Sequence, residues 1–380
     1  MLKIAIIGGG AAGMSCAVML ARKGFSVALL ERGARLGRKL SATGNGQGNV
    51  TNTDMRAEKY FSDDRDKVAR ALARFGAEDT VRFLESMGGI FLPDERGRVY
   101  PAGRQASAIT DLFRRELARL NVAVRTEARV DGIVRSGDEF RVTFGGETLC
   151  SDAVVLAAGG KAAANFGTDG TAYALAENFG HTVAPLSPAL VQLVCDREGV
   201  RGLKGIRVDG LLRVVRRGEE VCRFRGDVLF TDNGVSGDAV FRASSYARKG
   251  DMLFVDLLPA VDEARLRQTV KGAGEDCLLC IVPNGLARTV IRKAEGRADK
   301  LIPLLKSYPL TVESTLGFDR AQVTRGGIPL SETDENFMSK KRKGLFFAGE
   351  ILNADGECGG YNLQWAFTTA HCSAEGIALL

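Results

Sequence analysis

The fold is decided by residues 3–31, which read KIAIIGGGAAGMSCAVMLARKGFSVALLE. The apolar runs at 3–7 and 26–30 predict two buried strands, and the apolar stretch between them predicts a helix. The turn GGGAAG, residues 8–13, joins the first strand to that helix, and Glu31 follows the second strand. This order of strand, glycine turn, helix, strand and acidic residue is the fingerprint of a dinucleotide-binding βαβ unit.

Each position of this fingerprint has a physical task. Gly8 permits the tight turn, Gly10 lets the backbone approach a pyrophosphate, and Gly13 lets helix and strand pack closely. The N–H groups at the helix start, at Ala11-Ala12, would hold the phosphates. Glu31 would accept a hydrogen bond from a ribose 2′-hydroxyl. Because this carboxylate would repel the negative charge of a 2′-phosphate, FAD or NAD is favoured over NADP.

A signal peptide and a membrane span are the alternatives for this apolar start. The glycines interrupt the helix, Lys3 is the one charge ahead of it, and neither alternative explains Glu31. We therefore expect a cytoplasmic protein without a membrane segment, whose eight cysteines are reduced. Cys277 and Cys280 form a pair without the second pair or the histidines of a zinc site, so we expect buried helix positions and no metal.

The composition is typical of a folded protein with more than one domain. The chain has 380 residues, of which 45% are hydrophobic and 26% charged, enough for two or three domains. The net charge of +6 is mild, and aromatic residues make up only 7%. An RNA-binding protein is expected to cluster basic and aromatic side chains. We therefore expect a small-molecule substrate and no nucleic-acid partner.

A long polar loop follows Glu31. The glycine-dense sequence from Gly37 to Asn52 has neither strand nor helix periodicity, and long loops in compact domains are usually functional. Cations at its start are placed to neutralise a diphosphate, and backbone N–H groups further along would line a ligand ring. The cofactor contacts predicted here are Arg32, Arg38, Lys39, Thr43, Gly44, Asn45 and Asn49.

A second close backbone approach is predicted after a three-stranded meander at 128–150. The buried strand at 153–157 ends in the small residues Ala157-Ala158-Gly159. In flavoproteins of the two-dinucleotide-fold class this edge lies over the ADP part of FAD, with Val130 opposite the adenine.

The end of the chain repeats the logic of its start. A buried strand leads to Gly349 and Glu350, and Gly359-Gly360 precede a long final helix. The first N–H groups of that helix, at Asn362 and Leu363, would face an anion or a developing negative charge.

The segment between these two ends has a different sequence pattern, which predicts short strands with alternating apolar residues, followed by helices. We read it as an insertion that packs over the cofactor domain. The expected domains are a first FAD-binding part at 1–190, a β-rich substrate domain at 191–258, a helical subdomain at 259–313 and a second FAD-binding part at 314–380.

The chain resembles the BaiN-like flavoproteins, also described as aminoacetone-oxidase-like FAD-binding enzymes. The motifs that carry the resemblance span almost the full chain and are, in order, Gly8–Gly13, Leu36–Lys39, Gly44–Asn52, Val99–Pro101, Ala157–Gly160, Gly167–Gly170, Leu229–Gly237, Thr324–Gly327, Phe347–Glu350 and Gly359–Gln364. Two positions depart from the pattern: Gln47-Gly48 replace a common Arg-Cys, and Asp238 replaces a common Pro.

This resemblance implies one FAD per chain and a split cofactor domain with an inserted substrate domain. The expected fold is α/β: a two-dinucleotide-binding-type, Rossmann-like FAD domain with an inserted β-rich plus helical domain. Reductases of conjugated ketones, including steroid-like ones, are among the relatives that it implies.

We expect an FAD-dependent oxidoreductase that passes hydride through flavin N5 between NAD(P)H, a transient donor, and a small apolar ketone or enone. The flavin ring would lie between the Gly44–Asn49 loop and the Gly359–Leu363 turn, where helix N–H groups stabilise the reduced anion. Tyr361 and Arg325 lie in glycine-rich turns and are the candidate catalytic residues.

Two other functions stay open from the sequence. One is an FAD-dependent oxidase or dehydrogenase of an amine or amino acid, which would consume oxygen. The other is a flavoprotein that modifies tRNA, since such proteins share this nucleotide fold. Fold alone does not decide among them.

Overall fold

The structure, a computed structural model, describes residues 2–271, 274 and 276–380. The chain forms two compact units. One joins the chain up to Ser187 with Val323–Leu380, and the other is Pro188–Gln322. The first unit is therefore split in sequence by the second.

The first unit opens with alternating strands and helices. Its elements up to residue 189 are β1 (Lys3–Ile7), α1 (Ala11–Arg22), β2 (Ser26–Leu30), β3 (Thr51–Asn52), β4 (Tyr60–Ser62), α2 (Arg65–Arg74), α3 (Ala77–Glu85), β5 (Phe91–Pro93), β6 (Arg98–Pro101), α4 (Ala106–Arg119), β7 (Ala123–Arg125), β8 (Val130–Ser136), β9 (Glu139–Phe144), β10 (Glu147–Ser151), β11 (Ala153–Leu156), α5 (Ala172–Glu177) and β12 (Ala184–Ala189).

The second unit is built on a closed barrel and a set of helices. Its elements are β13 (Leu193–Cys195), α6 (Arg197–Val200), β14 (Arg207–Arg216), β15 (Glu219–Thr231), β16 (Gly234–Ser236), α7 (Asp238–Ser244), β17 (Met252–Asp256), α8 (Glu263–Thr269), α9 (Asn284–Lys293), α10 (Ala298–Lys306) and β18 (Tyr308–Thr315). The barrel order is β13-β16-β15-β14-β17-β18. Val208, Leu212 and Val214 of β14 point into its apolar core, as the alternation along the strand requires.

The first unit then resumes with β19 (Val323–Gly327), β20 (Leu345–Phe347), β21 (Ala354–Gly356) and α11 (Tyr361–Ile377). The main sheet is parallel, in the order β20-β11-β1-β2-β7. Ile4 at its centre pairs with Ala153 on one side and Val27 on the other. One apolar core contains residues of α1, α4 and α11, and a second one contains residues of β8, β9 and α5.

This architecture confirms the fold class predicted from the sequence. The strands β1, β11 and β20 of the main sheet are buried almost throughout and read as continuous apolar runs, whereas β7 at the edge of the sheet is exposed. The predicted meander is β8-β9-β10. The separate boundary at 258/259 stays a prediction.

Two local predictions are wrong. The loop after Glu31 contains 3₁₀ turns at Leu40–Gly46, interrupted by non-helical backbone at Thr43, Gly44 and Asn45. Cys277 and Cys280 are not buried helix positions: Cys277 is half-buried, and Cys280 is exposed in a turn with a φ of 58°. In the loop, short 3₁₀ turns form without a periodic side-chain pattern, and at the cysteines the backbone turns where a helix was expected.

Across the residues that the structure describes, no helix is both long enough and apolar enough to cross a bilayer.

Candidate functional site

The turn between β1 and α1 is shaped by three glycines. Gly8 has a φ of +108°, and a Cβ there would lie 2.5 Å from the Ala157 carbonyl oxygen. A Cβ at Gly13 would lie 1.9 Å from the Gly8 carbonyl oxygen. At Gly10, by contrast, a Cβ would meet nothing within 4 Å. Gly8 and Gly13 are therefore required for packing, whereas Gly10 leaves space open in front of the helix.

The N-terminus of α1 is suited to an anion. Gly10 caps it without a side-chain hydrogen bond, and the first turn carries no acidic residue. The first backbone bond of the helix runs from the Met14 N–H to the Gly10 carbonyl, so the N–H groups of Ala11–Gly13 have no partner within the helix. Free N–H groups and the helix dipole together attract a pyrophosphate.

Glu31 lies beside this turn at the end of β2. One carboxylate oxygen accepts the Gly9 N–H at 2.7 Å, and the other accepts the Gly33 N–H at 2.6 Å. Each oxygen keeps a further lone pair for a ribose hydroxyl. The Glu31 carboxylate thus fits the predicted ribose contact and also ties two turns together.

The cations predicted to face a diphosphate are engaged with protein groups. Lys39 Nζ lies 2.5 Å from Glu350 Oε2, and the Arg38 guanidinium donates to the Asn165 carbonyl at 2.7 Å. Arg32 pairs with Asp169 at 2.6 Å. Partial burial opposes ionisation of Asp169, but hydrogen bonds from Arg32 and Thr171 outweigh it and lower its pKa to about 2.

Glu350 also connects the backbone beyond β11 to β19. Its Oε1 accepts the Thr324 N–H at 2.9 Å, and Thr324 Oγ1 accepts the Lys161 and Ala162 N–H groups at 2.7 and 2.8 Å. A Cβ at Gly160 would lie 2.5 Å from that hydroxyl oxygen. Thr324 lies in one of the sequence motifs, but the sequence gave it no role. The contact could not be predicted because Thr324 and Gly160 are far apart in the chain.

The small residues after β11 lie against the opening turn. The Ala157 N–H donates to the Ile7 carbonyl at 2.8 Å, and Gly159 has a φ of +76°. Val130 is half-buried at the start of β8. Its predicted contact with an adenine, and those of Ala157, Ala158 and Gly159 with FAD, stay predictions.

The glycine loop holds a run of left-handed residues. Gly44 and Asn45 have φ values of 58° and 54°, and Gly46 and Gly48 have 83° and 82°. A Cβ at Gly48 would lie 2.7 Å from Ile109 Cδ1, so this position has no room for a side chain. The Gln47 and Gly48 N–H groups donate to the Gly44 and Thr43 carbonyls, so the loop closes on itself as a tight turn.

The closing turn repeats the geometry of the opening one. Gly360, with a φ of +101°, caps α11, and a Cβ there would lie 2.3 Å from the Thr51 carbonyl oxygen. The first helical bond runs from the Gln364 N–H to the Gly360 carbonyl, so Tyr361, Asn362 and Leu363 have N–H groups without a partner within the helix. The Asn362 amide exchanges two hydrogen bonds with the Gly356 backbone, each 2.8 Å long.

The two ends of the chain meet in one place. A Cβ at Gly349 would lie 2.9 Å from the Ala12 Cβ and 3.9 Å from the Ala366 Cβ, so α1 and α11 flank Gly349. Asn52, just after the glycine loop, donates to the Gly359 carbonyl at 2.9 Å. Opening turn, glycine loop and closing turn therefore surround one region of the first unit.

Both candidate catalytic side chains have protein partners. Arg325 forms two hydrogen bonds, of 3.1 and 2.9 Å, with the buried Asp355, and its guanidinium lies 3.8 Å from the Phe61 ring centroid. The buried Tyr361 donates its hydroxyl to the Asp54 carbonyl at 3.2 Å. Their catalytic roles stay predictions.

Arg325 is expected to be important for stability. Arg325→Ala leaves the Asp355 carboxylate, 2% exposed, without its cation, and we expect a loss of about 3 kcal/mol in unfolding free energy. Denaturant unfolding measures it. The control is Arg70→Ala, which breaks the exposed pair with Glu335 and should cost under about 1 kcal/mol. If both variants lost the same unfolding free energy, the buried Arg325–Asp355 pair would contribute no more to stability than an exposed pair.

The two histidines lie in packed surroundings. His181 has Nδ1 2.7 Å from Glu332 and Nε2 2.6 Å from Ser339 Oγ, and His371 stacks on Phe75 at 4.6 Å. Burial lowers the pKa of His181, although the hydrogen bond to Glu332 opposes it. Burial also lowers the pKa of His371.

These shifts predict a pH dependence of stability. Both histidines bind a proton more weakly in the folded than in the unfolded chain, so their contribution is complete above the unfolded pKa of about 6.5 and is lost as pH falls. The melting temperature should fall from pH 7 to pH 5, less steeply in His181→Gln and least in His181→Gln/His371→Gln. A double variant as steep as the unsubstituted protein would refute this assignment.

The fold and this site define a Rossmann-type dinucleotide-binding enzyme, with uncapped helix N-termini from both ends of the chain at one site. The chain belongs to the HI0933-like protein Rossmann domain family, which matches residues 2–376. This confirms the family that the sequence motifs indicated and, with it, an FAD-dependent oxidoreductase as the class of enzyme.

Full-length relatives support the assignment. The chain is 34% identical over 407 residues to a 3-dehydro-bile acid Δ4,6-reductase of Clostridium scindens, covering 100% of this chain and 99% of that protein. It is 29% identical to a ribosomal RNA dihydrouridine synthase of Escherichia coli, covering 98% and 97%. A 3-ketosteroid Δ1-dehydrogenase from Sterolibacterium denitrificans shares the fold, with a TM-score of 0.57 at 14% identity over the whole of both chains.

Proposed function

We propose that the protein is an FAD-dependent reductase of a carbon–carbon double bond conjugated to a ketone in a small apolar molecule. The observation that carries the proposal is that two helices without a side-chain cap at their N-termini, α1 and α11, both pack against Gly349. The full-length bile-acid reductase relative supports the choice of substrate class.

The residues present fit FAD. The N–H groups of Ala11–Gly13 would hold its pyrophosphate, Glu31 would hold a ribose, and the N–H groups of Asn362 and Leu363 would face the flavin edge that becomes negative on reduction. Bound FAD supplies hydride transfer through flavin N5. Each helix-end interaction contributes on the order of 1 kcal/mol.

NAD(P)H as electron donor and a cytoplasmic location are parts of the proposal. The proposal also keeps Arg325 and Tyr361 as residues near the bound substrate. Since both side chains already bind protein groups, we propose that they position the neighbouring turns: Arg325 through Asp355, and Tyr361 through Asp54.

A second function is favoured by a specific observation. The Escherichia coli relative is named a ribosomal RNA dihydrouridine synthase and matches nearly the full chain. The uracil ring also holds a double bond conjugated to a carbonyl, so the same flavin chemistry serves either substrate. The expectation of no nucleic-acid partner is therefore open, and the two functions differ in binding rather than in chemistry.

One anaerobic experiment separates these functions. The FAD-loaded protein is reduced with NADH or NADPH, and reoxidation of the flavin is followed after adding 2-cyclohexen-1-one, a 3-oxo-4-ene steroid or a ribosomal RNA transcript. We expect rapid bleaching by a nicotinamide and reoxidation by an enone. Reoxidation by RNA alone would support the second function, and bleaching by amines but not by nicotinamides would support an amine oxidase.

A further inference from the structure

A small sheet in the first unit presents two side chains toward the glycine turns. In this sheet, ordered β3-β6-β5, Val99 of β6 points into the core and is 3% exposed. Because side chains alternate along a strand, Arg98 and Tyr100 lie on the opposite face.

This face lies between the glycine loop and the closing turn. Tyr100 Cε1 would be 3.4 Å from a Cβ at Gly44, and Arg98 Cγ would be 3.9 Å from a Cβ at Gly359. These are the two turns between which the flavin ring is proposed to lie. Tyr100 is therefore one of the phenols at that region, together with Tyr361 and with Tyr60, whose hydroxyl donates to the Tyr361 carbonyl at 2.8 Å.

The Tyr361 and Tyr100 phenols differ in their hydrogen bonding. Tyr361 donates to the Asp54 carbonyl. Tyr100 is 6% exposed as a whole, its hydroxyl makes no hydrogen bond to a described residue, and that oxygen is not a fully buried atom. Solvent therefore reaches the hydroxyl, which leaves it available to a ligand.

The surroundings of Tyr100 keep its proton in place and favour a polar ligand atom. Burial raises the pKa of Tyr100, although Arg98 and Arg104 act in the opposite direction, so the phenol is protonated at neutral pH. The Arg104 guanidinium lies 4.4 Å from the ring centroid and donates to Gln47 Oε1 at 3.3 Å. A positive charge beside the phenol would stabilise the phenolate left after proton transfer.

Exposed apolar side chains lie near Tyr100 in the same small sheet. Leu92 of β5 pairs with Tyr100 across the strands and therefore shares its face, and Ile90 lies just before β5. Their exposed fractions are 55% and 66%, large for such side chains. Apolar surface near a phenol suits an apolar molecule with a carbonyl group.

We propose that Tyr100 is the proton donor of the reductase, a role that rests on the proposed function. Its O–H binds the substrate ketone oxygen. The β-carbon of the substrate gains a hydride from the reduced flavin, which loses two electrons, and the double-bond electrons move to give an enolate. Tyr100 then gives its proton to the enolate oxygen. The resulting enol becomes the ketone by losing that O–H proton to water and gaining one at the α-carbon, which completes addition of H⁻ and H⁺ across the double bond. The phenolate regains a proton from water, and NAD(P)H reduces the flavin again.

The test compares Tyr100→Phe with Tyr246→Phe, the same chemical change in the second unit. Both holoproteins are first checked for FAD content by visible absorbance. Binding of cyclohexanone, a ketone that cannot be reduced at a conjugated bond, is measured from the change in the flavin spectrum. Oxidation of the reduced holoprotein by 2-cyclohexen-1-one and by a 3-oxo-4-ene steroid is then followed by stopped flow.

We expect Tyr100→Phe to keep its FAD, to bind cyclohexanone about tenfold more weakly through loss of a hydrogen bond, and to oxidise about a hundredfold or more slowly through loss of a general acid. Tyr246→Phe should match the unsubstituted protein in all three. Normal binding and rate in Tyr100→Phe would overturn the role of Tyr100 alone. Failure of the unsubstituted protein with both enones would overturn the proposed function, and this inference with it.

Discussion

Gly360→Ala is expected to lose its FAD and about 2–5 kcal/mol of folding stability. The residue has a φ of +101°, which costs an L-amino acid roughly 1–2 kcal/mol. The new Cβ would also lie 2.3 Å from the Thr51 carbonyl oxygen, and such overpacking typically costs about 1–3 kcal/mol. Relief of that contact moves the start of α11 away from the glycine loop. Denaturant unfolding and the visible spectrum measure the two effects.

Gly24→Ala is the matched control for this variant. Gly24 has a φ of +86°, but a Cβ there would meet nothing within 4 Å. It should therefore show the backbone strain alone, about 1–2 kcal/mol, and keep its FAD. If the two variants lost equal stability and both kept their FAD, the contact between the closing turn and Thr51 would not be needed for FAD binding.

Gly10→Leu is expected to give the opposite combination: a folded protein that does not bind FAD. Gly10 has extended backbone and open space where a Cβ would lie, so the substitution strains nothing. Replacing glycine at a compatible position even stabilises a fold by about 0.4–1 kcal/mol. The new side chain fills the space in front of the α1 N-terminus, where the pyrophosphate is expected.

The loss of FAD affinity should be large. Two charge-assisted hydrogen bonds to the helix N-terminus contribute at least about 1.5 kcal/mol each, which together is roughly a hundredfold in the dissociation constant. Gly10→Ala should lie between the unsubstituted protein and Gly10→Leu. Fluorescence titration with FAD measures affinity, and the melting temperature without FAD checks the fold. A Gly10→Leu protein with unchanged affinity would place the cofactor elsewhere.

The sequence predicted the parts of this protein whose signals are local. The β1–α1 turn could be predicted because its glycines stand at fixed spacing between a strand and a helix, and Gly13 packs against the Gly8 carbonyl within the turn itself. The helices of the first unit and the β8-β9-β10 meander follow from periodicity and turn residues. The closing turn could be predicted because it repeats the pattern of an uncapped helix after glycines.

The remainder depends on contacts between distant residues. The bond from Thr324 to the backbone at Lys161 joins positions 163 residues apart, and no local pattern reports it. The same holds for Tyr361, whose hydroxyl meets the Asp54 carbonyl, and for Lys39, which meets Glu350. The sequence pointed to the glycine-rich turns, but it could not tell which side chains there bind other parts of the protein.

Tyr100 shows the same limit from the other side. The motif Val99–Pro101 was visible, but its face is set by pairing of β6 with β3 and β5, strands of two to four residues with little signal of their own. Only the folded sheet shows that Val99 packs into the core and that Tyr100 lies against the glycine loop.

The central claim is that the opening turn and the closing helix hold a single FAD between them. It is tested most directly by measuring bound flavin per chain after incubation with excess FAD and gel filtration, in the unsubstituted protein and in Gly10→Leu. We predict one FAD per chain in the unsubstituted protein and almost none in Gly10→Leu, with both proteins equally folded. Unsubstituted protein that leaves the column colourless, or Gly10→Leu that leaves it fully loaded, would contradict the claim.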